Sequence, residues 1–330
     1  MHPLLLAPAR PPASLSRPLS QPHPQRVRTA EVAVARYLAG LGAAYADKTR
    51  RSLTSDWACF ARWCAENARA PFPTSPETLI AYLEALSPAH RLSTLRRRLA
   101  TLSHLHDALG APNPARDPLV RLALRGIARI KGQRPEGRRA PLRQADVDAM
   151  IAALGGSLRD VRDKALLLTA RDSLARRSEL ARLAVADIEW RAAGDARALL
   201  RRTKGDADGR SIWLAPETCA ALRDWLEAAG IAAGPVFRRV HSDGRVGERL
   251  LGQAIARRFK RLAAAAGLAA TRVSGHSTRI GMCCDLVADG QSLVAVQLAG
   301  GWVSPAMPAH YAADLLPELG AVARYHHGRT

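Results

Sequence analysis

The chain has 330 residues, enough for two domains with sizeable cores. Its 49 Lys and Arg outnumber 29 Asp and Glu, and the resulting formal charge of +20 points to a polyanionic partner, nucleic acid before anionic membrane. No apolar run approaches the ~20 residues of a bilayer span, prolines at 3 and 8 break the only candidate leader, and five cysteines without CxxC spacing give no disulfide framework, so a cytoplasmic protein is expected.

Residues 1–28 hold seven prolines among Ser, Gln and Arg. Such a segment cannot bury enough apolar surface to offset its ordering entropy, and it reads as a disordered tail. Residues 29–130 read as helical throughout. Leu53, Trp57, Phe60 and Cys64 recur at i, i+4, i+7 and i+11, one face of a helix over 47–68. Leu92, Leu95, Leu99, Leu102 and Leu105 form a second stripe. Ser75 followed by Pro76 is a helix start, with serine as N-cap and proline at the first helical position. Lys48, Arg50 and Arg51 fall in a first turn, where cations oppose the helix dipole, and Arg96, Arg97 and Arg98 flank the leucine stripe. These six are the candidate DNA-contacting residues of this half.

Residues 131–141 (KGQRPEGRRAP) lack apolar periodicity and read as a basic linker. From 142 to 330 the pattern is mixed. Helices are expected at 145–154, 158–170, 176–183, 216–229, 250–266, 276–288, 292–298 and 304–313. Strands are expected at 185–190, 198–203 and 211–214, the last two joined as a hairpin by the Gly205–Gly209 turn signal. The fold class is therefore mainly α with a small antiparallel β-sheet (α+β).

The chemistry concentrates late in the chain. His276 and Arg279 stand three apart, so on a helix they share a face, and Gly275 before them allows a phosphate to approach the helix start. Arg279 offers a planar fork for two nonbridging phosphate oxygens. Gly301 and Trp302 follow, and nine residues after Trp302 comes Tyr311. A phenol is a poor nucleophile at neutral pH, but clustered cations lower that barrier while neutralising charge on a pentavalent phosphorane. Upstream, the segment Arg-Arg-Ser-Glu-Leu offers two neighbouring cations, Arg176 and Arg177, ahead of Glu179, and by itself reads as an ordinary solvated helix segment.

Taken in order, Arg176, Lys204, His276, Arg279, Trp302 and Tyr311 resemble the motifs of the tyrosine recombinases, the phage-integrase family. The resemblance implies a helical core-binding (SAM-like) domain over 29–130 and an integrase-type catalytic domain over 142–330, with a C-terminal tail helix striped by Leu315, Leu316, Leu319 and Val322. It implies Tyr311 as nucleophile, Arg176, His276 and Arg279 around the phosphate, Glu179 as a brace, and Lys204 on a β-hairpin as general acid for the departing 5′ oxygen. Trp302 stands where histidine is commoner in the family; it can donate one N–H but cannot carry a proton. The implied partners are double-stranded DNA with a recombination core site and a homotetramer of this chain on synapsed DNA, with no membrane, no cofactor and no metal. The implied activity is site-specific recombination through a 3′-phosphotyrosine. Other outcomes compatible with the residues are a type IB topoisomerase-like nicking-closing enzyme and a non-catalytic DNA-binding regulator.

Overall fold

In a computed structural model the chain divides into two compact units, residues 1–136 and 137–330. The structure describes residues 24–132, 139–201, 209–315 and 320–327. The Gly205–Gly209 turn signal, most of the expected linker and Leu316 and Leu319 of the expected tail stripe thus lie wholly or largely outside the described residues.

Among the described residues the first unit has five α-helices: α1 (Pro24–Gly40), α2 (Asp47–Glu66), α3 (Pro76–Leu86), α4 (Leu92–Ala108) and α5 (Pro118–Lys131). Helix α1 starts before the expected boundary at 29. Leu53, Trp57, Phe60 and Cys64 of α2 are all buried, and the last three share a core with Tyr82 and Leu83 of α3 and Leu95, Leu102 and Leu105 of α4. Burying one such side chain contributes about 1.5–3 kcal/mol, which is why periodicity predicts these helices well. The Ser75 hydroxyl accepts from Thr78 N at 3.3 Å, and Pro76 opens α3. One carboxylate lies inside this unit. Asp56, 2% exposed, binds Arg97, Arg98 and Thr101, because a buried charge persists only when paired.

The second unit centres on α7 (Leu158–Asp172), whose Ala165, Leu166, Leu167, Leu168 and Ala170 are buried on every side. Around it lie α6 (Gln144–Ala152), α8 (Arg177–Leu180), α9 (Pro216–Ala228), α10 (Gly252–Ala265) and α11 (Ser277–Ala288). A three-stranded antiparallel sheet has the order β1 (Ile188–Trp190), β2 (Ala196–Leu200), β3 (Arg210–Leu214), with Leu200 opposite Arg210. The expected strand at 185–190 begins as a 3-10 turn over Val185–Asp187, so only its last three residues pair. Two further strands, β4 (Arg238–Val240) and β5 (Val246–Arg249), form a hairpin that the sequence did not announce. Its arginines mask the alternation by which strands are recognised. The chain continues through α12 (Leu293–Gly300), α13 (Ala306–Tyr311) and α14 (Ala321–His327). No helix among the described residues is long and apolar enough to cross a membrane.

The segment entering this unit runs along α11. Ala140 N donates to Arg272 O at 3.1 Å and Leu142 N to Ser277 O at 2.9 Å. Arg143 reaches Asp285 at 2.6 Å, and Arg171 of α7 reaches the other oxygen of the same carboxylate at 2.7 Å. Between these ties, a Cβ on Gly281 would stand 1.7 Å from the Leu142 carbonyl oxygen. That oxygen is backbone and cannot swing away. Gly281→Ala should therefore destabilise the second unit by about 2 kcal/mol or more, read as a drop in its urea or thermal midpoint with the first unit unmoved. An unchanged midpoint would mean that α11 and the entering segment are not in this contact.

A candidate active site for phosphodiester chemistry

Helix α7 ends at a tight turn in which Leu174 takes a left-handed φ of 45°, a costly conformation for a residue with a side chain. The turn delivers Arg176 to the start of α8. There Arg176 Nη1 pairs with Glu179 Oε1 at 2.7 Å, and Arg176 N donates to Glu179 Oε2 at 2.8 Å. Glu179 is 5% exposed whereas Arg176 stays half-exposed, so the acid is the anchor and the guanidinium its presented group.

His276 is the N-cap residue of α11 and Arg279 lies in its first turn. The backbone there is fixed by Ser274 N donating to Ser277 Oγ at 2.9 Å and His276 N to Ser274 Oγ at 3.2 Å. Arg279 is 2% exposed. Its Nη1 donates to the Leu174 carbonyl, its guanidinium carbon lies 3.9 Å from the centre of the Trp302 ring, and its Nη2 has no hydrogen-bond partner. Stacking a desolvated guanidinium on indole contributes on the order of 2 kcal/mol, while an unsatisfied buried N–H costs about 1–3 kcal/mol. An anion at Nη2 would remove that cost.

Trp302 reaches this position through two glycines. Gly301 ends α12 in a left-handed turn (φ 62°), and Trp302 N donates back to Gln297 O at 3.0 Å. A Cβ on Gly300 would meet the indole at 1.9 Å. The Tyr311 ring lies 6.1 Å from the Trp302 ring, tilted by 58°. The cysteines of α11 hold the backbone of α13 from behind, Cys283 Sγ at 3.8 Å from Pro308 O and Cys284 Sγ at 3.5 Å from Tyr311 O. Arg176, Glu179, His276, Arg279, Trp302 and Tyr311 are thus brought to one locality, while Lys204 lies outside the described residues.

Electrostatics follow from this crowding. Burial, then the charges of Arg176 and Arg210, push Arg279 down to about 10, so it remains a cation at neutral pH. Burial raises Tyr311 above the ordinary phenol value, and the opposing pull of Arg279 and Arg176 does not cancel it. Without an anion at the site the phenol is therefore protonated, and the expected activation by cations is outweighed by desolvation. His276 is accessible to solvent but packed closely enough that desolvation, followed by Arg177, Arg279 and Arg176, lowers its pKa; Glu179 opposes them.

The candidate DNA-contacting residues separate into two groups. Lys48, Arg51, Arg96 and Arg97 are exposed, and Lys48 and Arg97 line one hollow between α2 and α4. Arg50 is tied to Asp47 at 2.5 Å. Arg98 turns inward to the Tyr82 hydroxyl at 3.0 Å and to Asp56, a structural role. Sequence reasoning overlooked a second basic surface, a hollow of about 920 Å³ between the β4–β5 hairpin and α10 lined by Arg159, Arg239, Arg245, Arg249, Arg257 and Arg261. The i, i+4 spacing of Arg257 and Arg261 was its one visible signal. No group of His, Cys, Asp or Glu among the described residues is arranged to hold a metal ion.

The phage integrase family profile matches residues 141–316. An integrase/recombinase xerD homolog of Selenomonas ruminantium is 33% identical over 251 residues, covering 72% of this chain and 72% of that protein. Recombinase cre of Escherichia phage P1 is 28% identical over 304 residues, covering 85% of this chain and 88% of the relative. Among solved structures, the XerH site-specific recombinase bound to a palindromic difH substrate aligns with a TM-score of 0.65 at 15% identity, over 90% of this chain and 84% of the other. A lambda integrase dimer bound to a COC′ core site aligns with a TM-score of 0.59 at 16% identity, over 91% and 83% of the two chains. These two likenesses concern the fold.

The geometry around His276 has a direct readout. Because its pKa is lowered, the imidazole stays neutral at pH 7, and the folded protein binds fewer protons there than the unfolded chain. Stability from this group is complete above the unfolded value of about 6.5 and declines as pH falls from there toward the lower folded value. An NMR titration of DNA-free protein, assigned with His276→Gln, should give a midpoint below 6.5. A midpoint at or above it would mean that the imidazole is neither desolvated nor crowded by the three guanidinium groups.

Proposed function

The chain belongs to the phage integrase family, and on that premise we propose that Tyr311 is the nucleophile and Arg176, His276, Arg279 and Trp302 the phosphate-binding set of a DNA strand-transfer reaction. The protein is an enzyme, a tyrosine-type site-specific recombinase. Nicking-closing and regulatory readings are not favoured, because the relatives are named as recombinases and integrases. One observation carries the residue assignment: a buried Arg279 with an unpartnered Nη2, stacked on the indole that Tyr311 packs against.

The reaction follows from the groups in place. A scissile phosphate takes its two nonbridging oxygens to Arg176 and Arg279, and the indole N–H of Trp302 donates to one of them. The Tyr311 oxygen attacks phosphorus as its proton passes to the neutral imidazole of His276. The bond to the 5′ oxygen breaks, and that oxygen takes a proton, a role assigned to Lys204 by the family motif. The product is a 3′-phosphotyrosine and a free 5′ hydroxyl. A 5′ hydroxyl from a second duplex reverses each step and joins the new strand. Phosphoryl transfer to and from one phenol conserves the diester bond energy, so no nucleotide hydrolysis is required. Positioning and charge neutralisation supply most of the acceleration.

The natural substrate is double-stranded DNA bearing a core site, and strand exchange takes place in a homotetramer on two synapsed sites. Lys48, Arg51, Arg96 and Arg97 of the first unit and the arginine hollow of the second contact backbone phosphates. The protein works in the cytoplasm, where its DNA lies.

A suicide duplex nicked beside the scissile phosphate should trap the protein covalently, and Tyr311→Phe should remove the adduct. Arg279→Gln should slow trapping by on the order of 100-fold or more, the cost of losing a preorganised donor to an oxyanion. An adduct that persists in Tyr311→Phe would overturn the nucleophile assignment. Binding should weaken steeply with salt, with a log–log slope near −9 for about ten phosphate contacts. A slope shallower than about −3 would argue against phosphate contacts by both units.

A further inference from the structure

Arg210 opens β3 and is half-buried beside the site. Its Nη2 donates to Ser173 O at 2.8 Å, and its Nη1 donates to Ala299 O. The next carbonyl after Ser173, that of Leu174, accepts from Arg279 Nη1. Two guanidinium groups therefore hold consecutive carbonyls of the left-handed turn that leads, two residues on, to Arg176. On its other side Arg210 holds the last turn of α12, and its Cδ lies 2.7 Å from where a Cβ on Gly301 would stand. Gly301 is the turn that sends Trp302 back onto Arg279.

We infer that Arg210 is a positioning residue for strand cleavage, a joint that fixes the backbone behind Arg176 to the backbone behind Trp302 and so aligns the guanidinium pair with the scissile phosphate. The inference rests on the proposed reading of Tyr311, Arg176 and Arg279. A planar fork can bind two carbonyls from separate segments at once, and an ammonium on a flexible stem does not reproduce that geometry. The two carbonyls take the terminal nitrogens of Arg210, so its part is to hold the pair in place.

The test uses the full chain, the suicide duplex, and the same duplex with a scissile methylphosphonate, which lacks one nonbridging charge. With the ordinary phosphate, Arg210→Lys and Arg210→Met should trap on the order of 100-fold more slowly, the cost of misplacing groups by about an ångström. With the methylphosphonate, whose charge the pair has less need to neutralise, the ratio of wild type to variant should fall below about fivefold. DNA affinity by mobility shift should stay within about threefold of wild type, since the backbone contacts are unaltered. Equal loss on both substrates, or a lysine variant that cleaves like wild type, would overturn the inference. Arg210→Lys keeps the charge and stem and carries the test should Arg210→Met fail to fold. Failure of the underlying reading shows differently, as an adduct still formed by Tyr311→Phe.

Discussion

The Arg279 guanidinium is sunk to 2% exposure, with its one hydrogen bond on a neutral carbonyl and its face on a neutral indole. A cation so placed is costly, and its surroundings show what the fold does to hold it. Leu174 accepts a left-handed backbone so that its carbonyl faces Nη1. Gly300 and Gly301 give up side chains so that the indole can fold over the guanidinium. The Nη2 of Arg279 is left buried without a hydrogen-bond partner. These costs are met by the fold itself, so the guanidinium is held in place in advance.

Several acidic residues of this strongly basic chain act as braces between its arginines. Asp56 ties Arg97 and Arg98, Asp163 ties Arg162 and Arg258, and Asp285 ties Arg143 and Arg171. Asp56 and Asp163 are buried. Each joins elements distant in sequence or fixes the start of one, and each leaves neighbouring arginines free of carboxylates. Net charge alone does not reveal which arginines are held inside the fold and which stand at its surface.

Much of this was legible in the chain. The stripes of α2 and α4 and the cap at Ser75 stand where periodicity and capping chemistry put them, since burial and hydrogen-bond satisfaction act locally. Arg176, His276, Arg279, Trp302 and Tyr311 converge because they sit at helix ends and in the turns beside them. Other features resisted for identifiable reasons. Arg98 lies three residues after Leu95 and four before Leu102, on the core side of α4, so it could not share a surface with Arg96 and Arg97; the triple-arginine run hid that spacing. The β4–β5 hairpin hid behind its arginines. Nothing in the sequence singles out Arg210; the turn after α7 and the end of α12, both remote in sequence, give it meaning. The protonated state of Tyr311 depends on how dry its pocket is, which no motif records.

Helix α11 has Arg279 in its first turn and Asp285 in its last, and the entering segment is laced to it at Ser277, Gly281 and Asp285. Twelve residues of helix make a rod roughly 18 Å long. Traction applied to the polypeptide at residue 143 is therefore not absorbed by slack. It shifts the whole rod, and the guanidinium at its far tip travels with it, so mechanical load on the entering chain is delivered to Arg279 and the indole stacked on it.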